Sequence, residues 1–463
     1  MNRPLKLFVL SREFLSWCLV AIVFSWMFWG QSYSASSRAM AGLDVEQVRI
    51  GLLIFAVIAV LWLTELLPLA VTALLVPVLA TGLGVSAMKD SLAGFADPLI
   101  FLFLGGFALA AALAAHGIDR WLVQGLIRLG RGHFLPCSIA LFISAAVISM
   151  WISNTATCAM LLPLAMSIVW QLPTDRERQF ILLGLAYSAS IGGMGLLMGS
   201  APNGIAAKQL GIGFQEWAKI GLPLVAILLP LMIGVMFFVL RPQRGFKITA
   251  PEEKFEWSLK KMATLGIFFL TVSSWALGGT LQDWLGISAS FETWVALFST
   301  ALLFASRVLT WQDFERQTEW GVLLLFGGGI ALGGVLKDSG ASVFLARSMA
   351  DFAAHWSPLA WLAVTLTGVI FMTELVSNTA LTALFVPIIA SIAAELGVAQ
   401  APMVIAVAIA ASCAFALPVA TPPNALVYAS GLVAQSTMLR VGVILNLACV
   451  AVLAIWFAWF FGF

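Results

Sequence analysis

Apolar stretches of about 20 residues follow one another along almost the whole of this chain, each ended by glycine, proline or a charged residue. As a helix, a run of that length spans about 30 Å, the thickness of the hydrocarbon core of a bilayer. Backbone placed in hydrocarbon has to satisfy its own N–H and C=O groups, which a helix does within one segment. Composition excludes a soluble globule: only 10% of the 463 residues are charged and 61% are hydrophobic, against about 25% charged in an ordinary soluble domain. The sequence therefore specifies an all-α polytopic membrane protein whose first partner is the lipid bilayer. A formal net charge of +2, with the basic residues spread between apolar runs, offers no footprint for nucleic acid.

The five cysteines, Cys18, Cys137, Cys158, Cys413 and Cys449, lie in or beside apolar segments without metal-ligand spacing and read as small packing residues. Arg3, Lys6 and Arg12 precede an apolar run from Phe14 to Gly30. That pattern resembles a signal peptide, but the topology below needs it as a first transmembrane helix.

Within the apolar background the triplet Ser-Asn-Thr occurs twice, at Ser153-Asn154-Thr155 and Ser377-Asn378-Thr379, 224 residues apart. Polar groups in such surroundings are costly unless they meet a partner. The small-residue run Leu104-Gly105-Gly106-Phe107-Ala108-Leu109 reappears as Gly327-Gly328-Gly329-Ile330-Ala331-Leu332, and Gly199-Ser200-Ala201-Pro202-Asn203 as Ala420-Thr421-Pro422-Pro423-Asn424, in the same order. The chain thus divides into a segment 1–48 with the first helix, a first repeat 49–240, a polar linker 241–262 and a second repeat 263–463.

Spans are expected near 14–33, then 49–66, 69–86, 98–116, 179–210 and 217–240, then 263–280, 291–307, 319–337, 402–431 and 438–461. The arms 136–151 with 155–170, and 358–376 with 379–394, are too short for full crossings. They read as two re-entrant hairpins, 136–170 and 358–394, each with Ser-Asn-Thr at its tip. One leading helix and five crossings per half give 11 transmembrane helices in two inverted repeats, a hallmark of secondary transporters. With the N-terminus in the cytoplasm, 17 basic residues fall inside, among them the six of the linker, and only Arg38, Arg49, Lys89, Lys208, Lys219, Lys337 and Arg347 outside. The positive-inside rule supports that orientation, in a bacterial inner membrane with a periplasmic C-terminus.

The chemistry follows from residue type. Proline at each Ser/Thr-x-Pro-Asn motif stops the helix ladder and frees backbone carbonyls, which irregular backbone at membrane depth tolerates only inside protein or beside a cavity. Such carbonyls, with Ser, Thr and Asn oxygens, suit a hard monovalent cation. Helix N-termini at Thr155 and Thr379 present N–H groups to an anion. No Lys or Arg lies within either tip or break, so neutral donors, helix dipoles and bound cations would hold the anion. The pattern specifies cation-coupled anion binding, and the lack of a His/Cys/Asp constellation favours a transporter over a channel or a membrane enzyme. Glu65 and Glu374 are the carboxylates placed at membrane depth, where an acid is a functional candidate, although a glutamate near a helix end also caps or snorkels.

At these residues, "SNTAT" with "GSAPN" and "SNTAL" with "ATPPN", the chain resembles the divalent anion:sodium symporter family over almost its whole length. That resemblance implies a homodimer with a scaffold and a mobile transport domain, each drawn from both repeats, importing C4-dicarboxylates such as succinate, malate or fumarate with Na+ by an elevator-like motion. Exchangers, citrate carriers and sulfate carriers share the scaffold. The family's first sodium site maps onto Ser149, Ser153, Asn154 and Gly199. Its second maps onto Thr373, Val376, Asn378 and Ala420. Its substrate residues map onto Asn154, Thr155, Ser200, Ser377, Asn378, Thr379 and Thr421. "SAPN" departs from the double-proline form of the motif.

Overall fold

A computed structural model describes residues 40–243, 245–248, 256–287, 290–353 and 356–462. The expected span 14–33, Cys18 and linker residues 249–255 lie outside the described residues. In the first half the helices are Val45–Thr64 (α1), Leu69–Gly82 (α2), Met88–Ala93 (α3), Pro98–Ala115 (α4), Ile118–Leu129 (α5), Phe134–Ser149 (α6), Asn154–Val169 (α7), Asp175–Gly193 (α8), Ala201–Leu210 (α9) and Phe214–Leu240 (α10). In the second they are Leu259–Ala276 (α11), Gly278–Leu285 (α12), Phe291–Ala305 (α13), Trp311–Gln317 (α14), Trp320–Asp338 (α15), Ala341–Ala353 (α16), Pro358–Thr373 (α17), Asn378–Glu395 (α18), Gln400–Ala411 (α19), Pro422–Ala429 (α20) and Gln435–Phe461 (α21). No β-strand occurs among the described residues, only an isolated bridge between His133 and Lys247.

Local chemistry sets the helix starts. Asp44 caps α1 by accepting from Glu46 N and Gln47 N. Asp97 caps α4 through Leu99 N, with Pro98 at the first helical position where its missing N–H costs nothing. Apart from α12, each helix of the second half has a counterpart in the first, in the same order. The halves interlock: α4 packs on α13 and α2 on α15, while α7 contacts α20 and α18 contacts α9.

Six helical segments among the described residues are long and apolar enough to cross a membrane, and a seventh if α11 and α12, bent by 89° at Leu277, form one broken span. Several expected crossings are shorter or broken. The segment 69–86 is helical only to Gly82, because Gly84 turns the chain at φ +75°. The expected spans 179–210 and 402–431 are each two α-helices separated by a break in the α-helical ladder, at 194–200, which holds one 3-10 turn at Leu197–Gly199, and at 412–421. The short helices α3, α14 and α16 carry no long apolar run and were not foreseen as elements.

The linker returns to the first half. Phe134 N donates to the Phe246 carbonyl (3.0 Å), Ile248 N to the Gly132 carbonyl (2.7 Å) and Gln243 N to Glu177 Oε1 (2.7 Å). On the amphipathic α5, Trp121 meets Trp257 edge to face at 5.2 Å. At its start Asp119 is buried, and that burial pushes its carboxyl up from 3.8 to about 6 against the opposing pull of the Arg120 N–H and charge.

Two predictions follow from this packing. A methyl on Gly192 of α8 would sit 2.2 Å from the Ala146 carbonyl oxygen of α6, whereas nothing lies within 4 Å of one on Gly234. Gly192→Ala should cost about 1–3 kcal/mol by overpacking and Gly234→Ala nothing, read as unfolding temperatures in detergent. Asp119 binds its proton more tightly folded than unfolded, so its burial costs stability that appears as pH rises through 3.8 to about 6. Asp119→Asn should therefore exceed the parent in stability at pH 7.5 by about 1–3 kcal/mol, a gain that disappears at pH 4.

Candidate functional site

Each Ser-Asn-Thr sits where one short helix stops and the next begins. α6 ends at Ser149 and α7 starts at Asn154, with Ser153 as N-cap accepting from Ala156 N at 3.3 Å. In the second half α17 ends at Thr373 and α18 starts at Asn378, with Ser377 accepting from Ala380 N at 3.5 Å. Both serine hydroxyls therefore act as N-caps of the helices that follow. Thr155 and Thr379, second residues of their helices, are half-buried.

The asparagines do something else. The Ser149 hydroxyl lies 2.7 Å from Asn154 Oδ1 and 2.7 Å from the Ala189 carbonyl. The Thr373 hydroxyl lies 2.6 Å from Asn378 Oδ1 and 2.9 Å from the Ala411 carbonyl. One hydroxyl thus ties each tip to the last helical turns before the break of its own half.

The breaks are held alike. Asn203 Nδ2 donates to the carbonyls of Gly193 and Leu196, both at 2.8 Å. Asn424 Nδ2 donates to those of Ala414 and Leu417, both at 3.1 Å. These are the same two positions of each break, 221 residues apart. Ser200 and Thr421 are extended, with φ −149° and −143°, and the helix restarts at the next residue. The absent first proline of "SAPN" therefore leaves the backbone unchanged. Ser200 Oγ stands 3.5 Å from Ser412 Oγ and Cys158 Sγ 3.7 Å from the Pro423 carbonyl, so the two breaks and the first tip adjoin.

Around the first break the backbone oxygens converge on two glycines. A methyl on Gly199 would lie 2.6 Å from the Gly193 oxygen and 2.9 Å from the Ser149 oxygen. One on Gly193 would lie 2.3 Å from Asn154 Oδ1 and 3.0 Å from the Gly199 oxygen. Carbonyl and amide oxygens facing a space too small for a methyl are the donor set that a hard cation accepts. Of the residues assigned to the first sodium site, Ser149, Asn154 and Gly199 share this cradle, while Ser153 caps α7. In the second half Thr373 and Asn378 are in direct contact, and Ala420 closes the break with its N–H 3.2 Å from the Leu417 carbonyl. Val376 is half-buried in the tip between them. Thr421 Oγ1 accepts from Asn424 N at 3.3 Å.

Sequence reasoning missed Gly193, Ser412, Trp217 and Asn446. The repeat offset would have paired Gly193 with Ala414. Trp217, which donates Nε1 to the Met194 carbonyl at 3.1 Å, carries no local signal. Glu65 is exposed, in a left-handed turn at φ 51° after α1. Glu374 is buried and bonded throughout. Among the described residues no group of three or more His, Cys, Asp or Glu could hold a metal ion. A cavity of about 420 Å³ lies beside α9, α15 and α18, with Lys208 and Lys337 in its wall.

Comparison with known proteins places the chain in a family. Residues 59–410 match the family model of the citrate transporters, CitMHS. An uncharacterized transporter of Haemophilus influenzae is 46% identical over 416 residues, which cover 87% of this chain and 90% of that one. The sodium-dependent dicarboxylate transporter SdcS of Staphylococcus saprophyticus is 30% identical over 441 residues, covering 86% and 83% respectively. In fold the chain is similar to the crystal structure of the YdaH transporter of Alcanivorax borkumensis, with a TM-score of 0.55 at 12% identity over 80% of this chain and 87% of that one. The chain belongs to the CitMHS citrate transporter family, in the divalent anion:Na+ symporter superfamily, and is a membrane transporter rather than an enzyme.

Proposed function

We propose that this protein imports C4-dicarboxylates such as succinate, malate and fumarate across a bacterial inner membrane, coupled to Na+, as a homodimer with an elevator-type cycle. The observation that carries the reading is the oxygen cradle at Gly193 and Gly199, beside a tip helix whose N–H groups at Asn154 and Thr155 have no bonding partner among the described residues, Ala156 N being capped by Ser153. Ser149, Asn154 and the carbonyls of the first break would take one cation. Thr373, Val376, Asn378 and Ala420 would take another. Thr155, Thr379, Ser200, Ser377 and Thr421 would then offer hydroxyls and amides to the carboxylates. With no Lys or Arg in the tips or breaks, the charge that balances a dianion comes from helix ends and co-transported cations. The sodium-dependent dicarboxylate name belongs to a relative at 30% identity and supports the coupling ion. The family description, citrate, makes a tricarboxylate the competing substrate.

In proteoliposomes, labelled succinate should accumulate only with an inward sodium gradient and be displaced by malate and fumarate ahead of citrate and sulfate. Uptake that ignores sodium but needs internal dicarboxylate would make the protein an exchanger, and displacement by citrate first would make it a citrate carrier.

The four asparagines should separate by role. Asn154→Ala and Asn378→Ala should leave folded protein and cut uptake at least about tenfold, the loss of one hydrogen bond to a charged group. Asn203→Ala and Asn424→Ala each strip two buried carbonyls of their donor and should lower unfolding stability by about 2 kcal/mol or more.

A further inference from the structure

Glu374 follows the last residue of α17 and is 4% exposed. Its Oε1 accepts from Phe415 N and Ala416 N, both at 2.8 Å, and from Asn446 Nδ2 at 2.6 Å, while Oε2 accepts from Leu417 N at 2.9 Å. Four N–H donors and no acceptor face it, the pattern of an ionised carboxylate. No basic side chain joins them: the ion pairs among the described residues are Arg49–Glu46, Arg178–Asp175, Lys208–Asp97 and Arg347–Glu395. The carboxylate grips the N–H side of the unwound segment 415–417, whose flanking carbonyls at Ala414 and Leu417 are bonded by Asn424.

The first half has no such charge. The matching position, 224 residues earlier, is Met150, whose side chain lies against Gly195. There the neutral Trp217 ring supplies the extra bond, to a carbonyl. Two breaks built alike therefore differ by one buried negative charge. That charge sits on the residue next to Thr373, whose hydroxyl meets Asn378. Hydrogen bonds spread a buried charge without cancelling it, and Coulomb attraction across low-dielectric protein reaches several kcal/mol at short range.

We propose that Glu374 is a positioning residue for the second cation site: it fixes the unwound backbone there and makes that site the tighter of the two, filled before the first and before the anion. The inference rests on the sodium-coupled reading above. The carboxylate acts at one remove, through segment 415–417 and through its field, without contacting the ion.

The test uses the full-length protein without substrate, following unfolding temperature against Na+ concentration, with choline holding ionic strength constant. Glu374→Gln should raise the half-saturating Na+ concentration at least about tenfold, the equivalent of about 1.4 kcal/mol, whatever it does to the sodium-free unfolding temperature. Ser149→Ala should leave the low-concentration rise in place. Asn446→Ala drops one donor and keeps the charge, and should give half-saturation at or below that of the parent. A lower unfolding temperature in Glu374→Gln with an unshifted sodium curve would reduce Glu374 to a structural anchor and overturn the proposal. So would an equal rise in Asn446→Ala, which also decides the matter if Glu374→Gln does not fold. No sodium-dependent shift in the parent protein would refute the sodium-coupled reading itself.

Discussion

Backbone that leaves the helix inside an apolar body has to find its hydrogen bonds among side chains, and the centre of this protein is organised by that requirement. Each break exposes several N–H and C=O groups that water does not reach. One asparagine per break bonds two of the freed carbonyls, and at each site the restarted helix places it as its third residue, after a proline. Proline ends the ladder and the asparagine behind it repairs the damage, so the pair is one device. The hydroxyl of Ser149 or Thr373 then ties the neighbouring tip to the same region.

What these bonds leave over is as consequential as what they satisfy. A carbonyl oxygen has two lone pairs, and the Gly193 oxygen keeps one after accepting from Asn203. With the Ser149 and Gly199 oxygens and Asn154 Oδ1 it surrounds a space that only glycine leaves free. The cradle is thus a by-product of unwinding, stabilised by side chains that point elsewhere. Asparagine at 154 suits this position because its oxygen can accept from Ser149 while still facing the cradle.

Local chemistry made the breaks and tips legible in the sequence. Ser-Asn-Thr and Pro-Asn are signals a few residues long, and their recurrence at a near-constant offset announced a duplicated architecture before any contact was known. Partners distant along the chain left no comparable trace. Nothing near Glu374 points to Asn446, 72 residues on, and nothing at Trp217 points to the Met194 carbonyl. The bend at Leu277 and the short helices α3, α14 and α16 escaped because periodicity needs longer runs to speak. Helix ends were harder to read than helix existence, since glycines such as Gly84 stop helices that hydropathy would carry further.

The two halves show how a duplicated frame carries two unequal breaks. Their backbones agree closely, with Ser200 and Thr421 in the same extended geometry although only one precedes two prolines. Divergence lies in the side chains laid over that backbone. Thr421 caps its own helix through Asn424 N, whereas the Ser200 hydroxyl turns toward Ser412 in the other half. Gly199 admits two backbone oxygens where Ala420 brings a methyl, and Met150 gives way to the bonded carboxylate of Glu374. A methyl narrows a cradle and a buried charge deepens it, so the substitutions act in opposite senses on the second site. Shared backbone geometry therefore need not mean equal affinity. In a transporter built on two such sites, an unequal pair imposes an order of filling that an identical pair would lack.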